Sequence, residues 1–333
     1  LVIRGHVRPH VIRGHVRPHV EEPALRLREA PALAIDACFR AVSVRPLAGL
    51  RVGLPLLLLV HLAWVSSDLL SLHGGNGIIP WELTDLLRDP WVPGLPTLAS
   101  ALLPLGISAR TAITFLLSCY AGGLLALALG FHTRVSALLA WGLHLALITS
   151  GFASVYGFDQ LANTFLFYLL VFPSGRAWTF ASRSASPRPE KTIPVGCLRV
   201  MQAHLCVVYL AAGLFKATGR QWWNGEAIWQ VVSQPAFRTF DLGSLARHPW
   251  IPTLAGWVTL VVEIGYAFLI WSCRTRRACA IAAIGLHLGV GLFMGLVFFS
   301  SVMILLTCSL FLIPEKVQEA VQEVERVPEP AVA

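Results

Sequence analysis

Charge is scarce in this chain. Only 13% of its 333 residues are Asp, Glu, Lys or Arg, against about 25% in a typical soluble domain. That excludes an ordinary soluble enzyme. Disorder is excluded by the opposite measure: 56% of the residues are hydrophobic, and a disordered chain is poor in such residues. No C-x-x-C pair and no metal-ligand spacing is present. The seven cysteines are Cys38, Cys119, Cys197, Cys206, Cys273, Cys279 and Cys308. They are odd in number, lie mostly in apolar runs, and read as small buried hydrophobes. No metal is expected. G-x-S-x-G, H-E-x-x-H, P-loop and dinucleotide fingerprints are missing. The glycine-rich turn GGNG at 74–77 lacks the Lys-Ser/Thr of a P-loop. Neither the paired membrane carboxylates nor the inverted-repeat halves of a proton-driven transporter are found.

Basic residues are in excess, with a net charge of +8. Half of that excess sits in residues 1–46, which hold eight Arg against four acids. Most of the rest lies in short loops between apolar runs, where basic residues set membrane orientation. Membrane lipid, not nucleic acid, is the expected partner. Residues 2–10 and 11–19 are both VIRGHVRPH. An identical duplication is not the degenerate period of a solenoid. It reads as a misassigned start or a translated DNA repeat, with a basic arm touching anionic lipid as the alternative. No signal peptide is expected, since an apolar core segment and a small-residue cleavage site are missing.

Eight apolar segments can be drawn, at 47–69, 111–131, 135–151, 159–173, 196–216, 253–272, 277–294 and 296–313. Each is near the ~20 residues that cross a ~30 Å hydrocarbon core. The last two form one apolar run, for which Gly291 and Gly295 offer a turn. With the amino-terminal tail placed inside, Arg134, then Arg176, Arg183, Arg188 and Lys191, then Arg274 and Arg276 fall in inside loops. The longer outer loops, 70–110 and 217–252, mix acids with bases. The positive-inside rule therefore places both termini in the cytoplasm. The predicted fold class is an all-α integral membrane protein, a bundle of about eight transmembrane helices with two longer outer loops. Residues 1–46 form a basic tail, 47–314 the membrane domain, and 315–333 a short acidic helix and tail. In the first outer loop, PWELTDLLRD reads as a short helix opened by Pro80 and closed by Asp89-Pro90. The second carries Trp222, Trp223, Trp229 and Trp250, as interfacial anchors or as a lid over a site.

Ionisable residues inside spans cost roughly 2.5–3.5 kcal/mol on insertion scales and are the functional leads. They are His61, His144, Asp159, His204, Lys216, Glu263 and His287. Arg199, Gln202, Cys206, Tyr209, Gly213 and Lys216 follow one another at spacings of three and four, which makes one stripe along a helix. Lys216 ends that stripe beside the tryptophan-rich loop. It is either a lysine snorkelling to the interface or a desolvated amine able to act as a general base. Glu263, alone in VVEIGYAF, needs a partner, for which Lys216 or a histidine is available. His287 sits among small residues that permit close helix approach. His61, His144 and His204 read as packing or structural hydrogen-bond residues.

The runs RVMQAHLCVVYLAAGLFKATGRQWWNGEAIW (199–229), HPWIPTLAGWVTLVVEIGYAFLI (248–270) and GLHLGVGLFMGLVFFSSVMILL (285–306) resemble the HTTM family, the membrane domain related to vitamin K-dependent gamma-carboxylase. The stretches at 129–148 and 168–180 fit the same family, so the resemblance covers about 45–314. It implies a membrane site facing outward. There a lysine deprotonates a reduced vitamin K-like quinone, oxygen turns it into a strong base, and that base removes a proton from a substrate. Lys216 falls on the base position, after Tyr209-Leu-Ala-Ala-Gly213, and His287 on a histidine of the later segment. Where the carboxylase has Asn-Asn-His, this chain has Tyr156-Gly157-Phe158-Asp159-Gln160. The carboxylase's large substrate-holding domain has no counterpart in these runs.

The expected function is quinol- and oxygen-linked proton abstraction at the outer face of a bacterial inner membrane. Lys216, Glu263 and His287 are the catalytic candidates, and Tyr209, Gln202, Trp222 and Trp223 the quinone-binding ones. The alternative is a non-catalytic membrane protein of the same fold, a partner or immunity-type component.

Overall fold

The computed structural model describes residues 38–74, 77–151, 155–178, 191–235 and 239–315. The duplicated amino-terminal segment and the acidic tail beyond Glu315 lie outside these residues. The described chain is mostly helical. A short strand, β1 (Ala41–Ser43), leads into α1 (Arg45–His73). Two short helices follow, α2 (Trp81–Leu87) and α3 (Leu95–Ser100), then α4 (Ala109–Leu129), α5 (Thr133–Ser150) and α6 (Gly157–Val171). The second half runs β2 (Thr192–Pro194), α7 (Val195–Ala217), α8 (Arg220–Trp223), α9 (Glu226–Ser233), α10 (Trp250–Leu269), α11 (Arg276–Met294) and α12 (Val297–Thr307). The last helix continues as a π-turn, Cys308–Leu312.

All eight predicted segments are helices. Five of them, α1, α4, α7, α10 and α11, are long and apolar enough to cross a membrane by length and composition. The other three, α5, α6 and α12, do not meet that measure. The helices form two groups. α1, α4, α5 and α6 pack in sequence, as do α7, α10, α11 and α12. The last helix and its π-turn join the groups by lying on α1 and α6.

Glycines set that junction. A Cβ on Gly49 would stand 2.7 Å from Ile313 Cδ1, and one on Gly53 would overlap Leu305. The four-residue spacing puts both on one face of α1, the small-x-x-x-small device of membrane helix pairs. Of the two glycines expected to turn the 277–313 run, Gly295 does so, at φ 68°. Gly291 stays helical and faces Ser300.

Hydrogen bonds tie the two ends of the bundle. At one end β1 and β2 pair antiparallel, Val42 opposite Ile193. At the same end Arg51 is fully buried. Its guanidinium donates to the carbonyls of Leu127 and Ala128 at 2.6 and 3.1 Å, and to those of Ala177 and Trp178 at 3.1 and 2.8 Å. Four carbonyl oxygens at a helix end and a turn thus stand in for a carboxylate. At the opposite end Trp81 Nε1 donates to the His73 carbonyl at 2.9 Å and the Leu95 amide to Ser150 Oγ at 2.7 Å. The predicted helix in the first long connection is α2, with Pro80 just before its first residue. Asp85 there accepts from Arg88 Nε at 2.7 Å and from Thr97. The Arg88 bond holds its carboxyl below the usual carboxylate range.

Candidate functional site

The site grows from one face of α7. Tyr209, Gly213 and Lys216 lie on that face, as their spacing requires. Gly213 sets how closely α10 approaches: a Cβ there would stand 2.8 Å from Ile264 Cγ1 and 3.0 Å from Glu263 Cβ. The missing side chain lets the lysine and the glutamate meet across the two helices. Lys216 Nζ donates to both Glu263 carboxylate oxygens, at 2.7 Å each. The pair is largely enclosed, with side-chain exposures of 23% and 11%. The Trp222 ring, from the short helix after α7, lies 5.4 Å from Nζ, within cation–π range.

The connection carrying Trp222 is seated on α10. A Cβ on Gly256 would overlap the Trp222 carbonyl, and one on Gly225 would overlap the Thr253 backbone. Gly225 has φ 81°, a conformation that favours glycine. Thr253 Oγ1 donates to the Asn224 carbonyl at 3.0 Å.

Deeper along α7, His287 Nε2 and the Tyr209 hydroxyl are 2.9 Å apart. Tyr209 stacks on Tyr266 with ring centroids 3.9 Å apart and planes 20° apart. Tyr266 sits one turn past Glu263, and its hydroxyl reaches Thr307 at 3.2 Å. Phe299 abuts the other side of His287 at 5.6 Å. His287 Nδ1 is buried with no partner among the described residues. A buried ring nitrogen in that state calls for a bound water or a ligand.

The structure brings Lys216, Glu263 and Trp222 into one cluster and Tyr209 and His287 into a second, two turns further along α7. It does not bring Gln202 or Trp223 to them. Gln202 donates to the Leu310 carbonyl at 2.6 Å, accepts from Arg199, and so belongs to the other end of the bundle. Fourteen residues of helix separate it from Lys216, about 21 Å at 1.5 Å per residue. Trp223 is half exposed; its Nε1 donates to the Ala217 carbonyl at 2.8 Å. One residue of helix turns it about 100° from Trp222, away from the pair.

The remaining ionisable residues sit in structural contacts. His144 lies between the Tyr120 hydroxyl, at 2.8 Å, and the Asp159 carbonyl, at 3.2 Å. A carbonyl only accepts, so His144 Nε2 carries the hydrogen and Tyr120 donates to Nδ1. Tyr168 bonds His204 Nδ1 at 2.9 Å. His61 packs edge-on against Phe158 and Phe298, each at 4.7 Å. The Asp159 carboxylate accepts the Tyr156 amide at the start of α6. Sequence reasoning missed Tyr266 and Arg51. Tyr266 is one helical turn from a lone intramembrane acid, and that spacing was the available signal.

A wider side chain at 213 tests the geometry. Gly213→Val is expected to force α7 and α10 apart, at about 1–3 kcal/mol, and to open the ion pair. A lowered unfolding temperature together with faster modification of Lys216 by an amine reagent is the expected result.

Five helices able to cross a membrane, with an ion pair and a tyrosine–histidine pair enclosed between them, define a multi-helix membrane protein with a polar centre. The family model for the HTTM domain matches residues 100–315. The chain belongs to the HTTM family. A comparison with curated proteins and with solved structures gave no match.

Proposed function

We propose that Lys216 and Glu263 are the proton-abstracting centre of a membrane enzyme that uses a reduced, vitamin K-like quinone and dioxygen. The observation that carries this reading is the enclosed Lys216–Glu263 pair, with both oxygens 2.7 Å from Nζ. A lysine ammonium is no base. In this reading a proton passes from Nζ to a Glu263 oxygen along one of the two contacts, which leaves a neutral amine beside a neutral carboxylic acid. The amine then accepts a proton from a hydroxyl, and Glu263 holds the proton that Lys216 released. Tyr209, positioned by His287 Nε2 and by the Tyr266 ring, offers a hydroxyl to orient an oxygen atom. Trp222 covers the amine side.

The group fits the residues present. Aromatic rings of Tyr209, Tyr266, Phe299 and Trp222 surround a few polar atoms, and the unpartnered His287 Nδ1 awaits one more. When bound, a reduced quinone supplies an acidic hydroxyl and the reducing equivalents that oxygen takes up. In this reading the eight helices all cross, both termini are cytoplasmic, and the site faces outward from a bacterial inner membrane.

The closure of the ion pair favours one second reading. Each charge is fully met by the other, as a purely structural link between α7 and α10 requires, and the protein is then a non-catalytic partner. Oxygen uptake separates the two. Purified protein in lipid discs, given a reduced naphthoquinone, is expected to consume oxygen faster than protein-free discs. Equal rates would discard the catalytic reading for this quinol.

A further inference from the structure

Arg110 lies in the first turn of α4, at the end of the bundle that also carries His73 and Ser150, and it is exposed. Two adjoining grooves share it. One, of about 360 Å³, runs along α4 past Thr111, Thr114, Phe115 and Ser118. The other, of about 470 Å³, separates α4 from the end of α1 and is lined by Leu70, Ser71 and Ser108 among others. The Arg110 guanidinium has no acid or carbonyl partner among the described residues. The Asp85 carboxylate of the same connection is taken by Arg88. Among the described residues, then, the positive charge at this end of the groove is uncompensated.

Its far end is apolar in effect. Thr114 Oγ1 donates to the Arg110 carbonyl and Ser118 Oγ to the Thr114 carbonyl, both at 2.8 Å. Their hydroxyls are folded back on the helix, which leaves methyl and methylene surface beside Phe115. Bare apolar side chains flank the groove in sequence. Ile78 is 77% exposed, Trp91 90% and Leu105 73%, a density of bare apolar side chains that suits the bilayer interface.

We propose that this paired groove holds one phospholipid with an anionic headgroup, its phosphate on Arg110 and an acyl chain along Phe115. Charge complementarity selects the anionic headgroup, since no described residue neutralises Arg110. One arginine near a lipid surface favours an anionic lipid by a factor of about five.

Native mass spectrometry of the purified chain, titrated with phosphatidylglycerol and with phosphatidylcholine, tests this. Wild type is expected to hold one phosphatidylglycerol about five-fold more tightly than phosphatidylcholine. Arg110→Gln, at an exposed position, is expected to fold and to lose that preference. Phe115→Ala is expected to weaken both lipids alike. Arg247→Gln, on the other long connection, is expected to keep the preference. Equal affinity for the two lipids in wild type, or a preference that survives Arg110→Gln, would overturn the proposal. So would occupancy by inorganic phosphate alone, or a protein segment crosslinked into the groove in place of lipid.

Discussion

Lys216→Met destabilises the protein by about 3 kcal/mol, and adding Glu263→Gln to the same chain restores most of the loss. The expectation follows from the enclosure of the pair. Breaking a buried ion pair from one side costs about 3–5 kcal/mol, because the remaining charge is left desolvated and unmatched. The residual exposure of Lys216, 23%, puts this pair at the low end of that range. Replacing both charges removes the desolvation penalty together with the attraction, so the neutral double variant lies close to wild type. Chemical or thermal unfolding of wild type, the two single variants and the double variant in one detergent measures the coupling. If Lys216→Met alone is as stable as wild type, the pair is solvated and the enclosed centre described above does not exist.

Arg51→Met has a larger effect. The guanidinium is fully buried and holds four carbonyl oxygens, at the end of α4 and in the turn after α6. Each polar group left buried without a partner costs about 1–3 kcal/mol. The Leu127 carbonyl keeps the Gly130 amide, so losing the shared donor strands up to three of them, while the cost of burying the guanidinium is recovered. A net loss of at least about 3 kcal/mol is expected, with poor yield of folded protein. Arg51→Lys keeps the charge but not the planar fork that reaches two pairs of carbonyls at once. Its expected stability lies between those of wild type and Arg51→Met. An Arg51→Met protein that unfolds with wild type would show that the clamp contributes nothing.

The helix positions were legible because apolar runs ended in Arg, Gly or Pro. The segment drawn at 196–216 is the helix Val195–Ala217, and the one at 277–294 is Arg276–Met294. Span number was less legible. The helices at 157–171 and 297–307 are short, and hydropathy alone does not carry them across a bilayer. The sequence leaves the partner of Glu263 open between a lysine and a histidine, since 47 residues separate Glu263 from Lys216 and only packing closes that distance. Periodicity reports which face a residue occupies and is blind to depth, so it groups Gln202 with Lys216. Adjacency groups Trp223 with Trp222, and a helix breaks that grouping with each residue. A basic residue near the start of a span reads as a flank, which hides Arg51. Its four carbonyl partners come from segments 76 to 127 positions away.

Lys216→Arg is the most direct test of the centre itself. Arginine keeps the positive charge and can hold both Glu263 oxygens, so the variant is expected to fold. Its guanidinium does not release a proton in proteins, so it cannot become the base. Oxygen uptake with a reduced naphthoquinone, measured on wild type and Lys216→Arg in the same lipid discs, is expected to fall in the variant to the protein-free rate. A folded Lys216→Arg protein that consumes oxygen as fast as an active wild type would contradict the account, because a group that cannot lose its proton would then be doing the work assigned to a base.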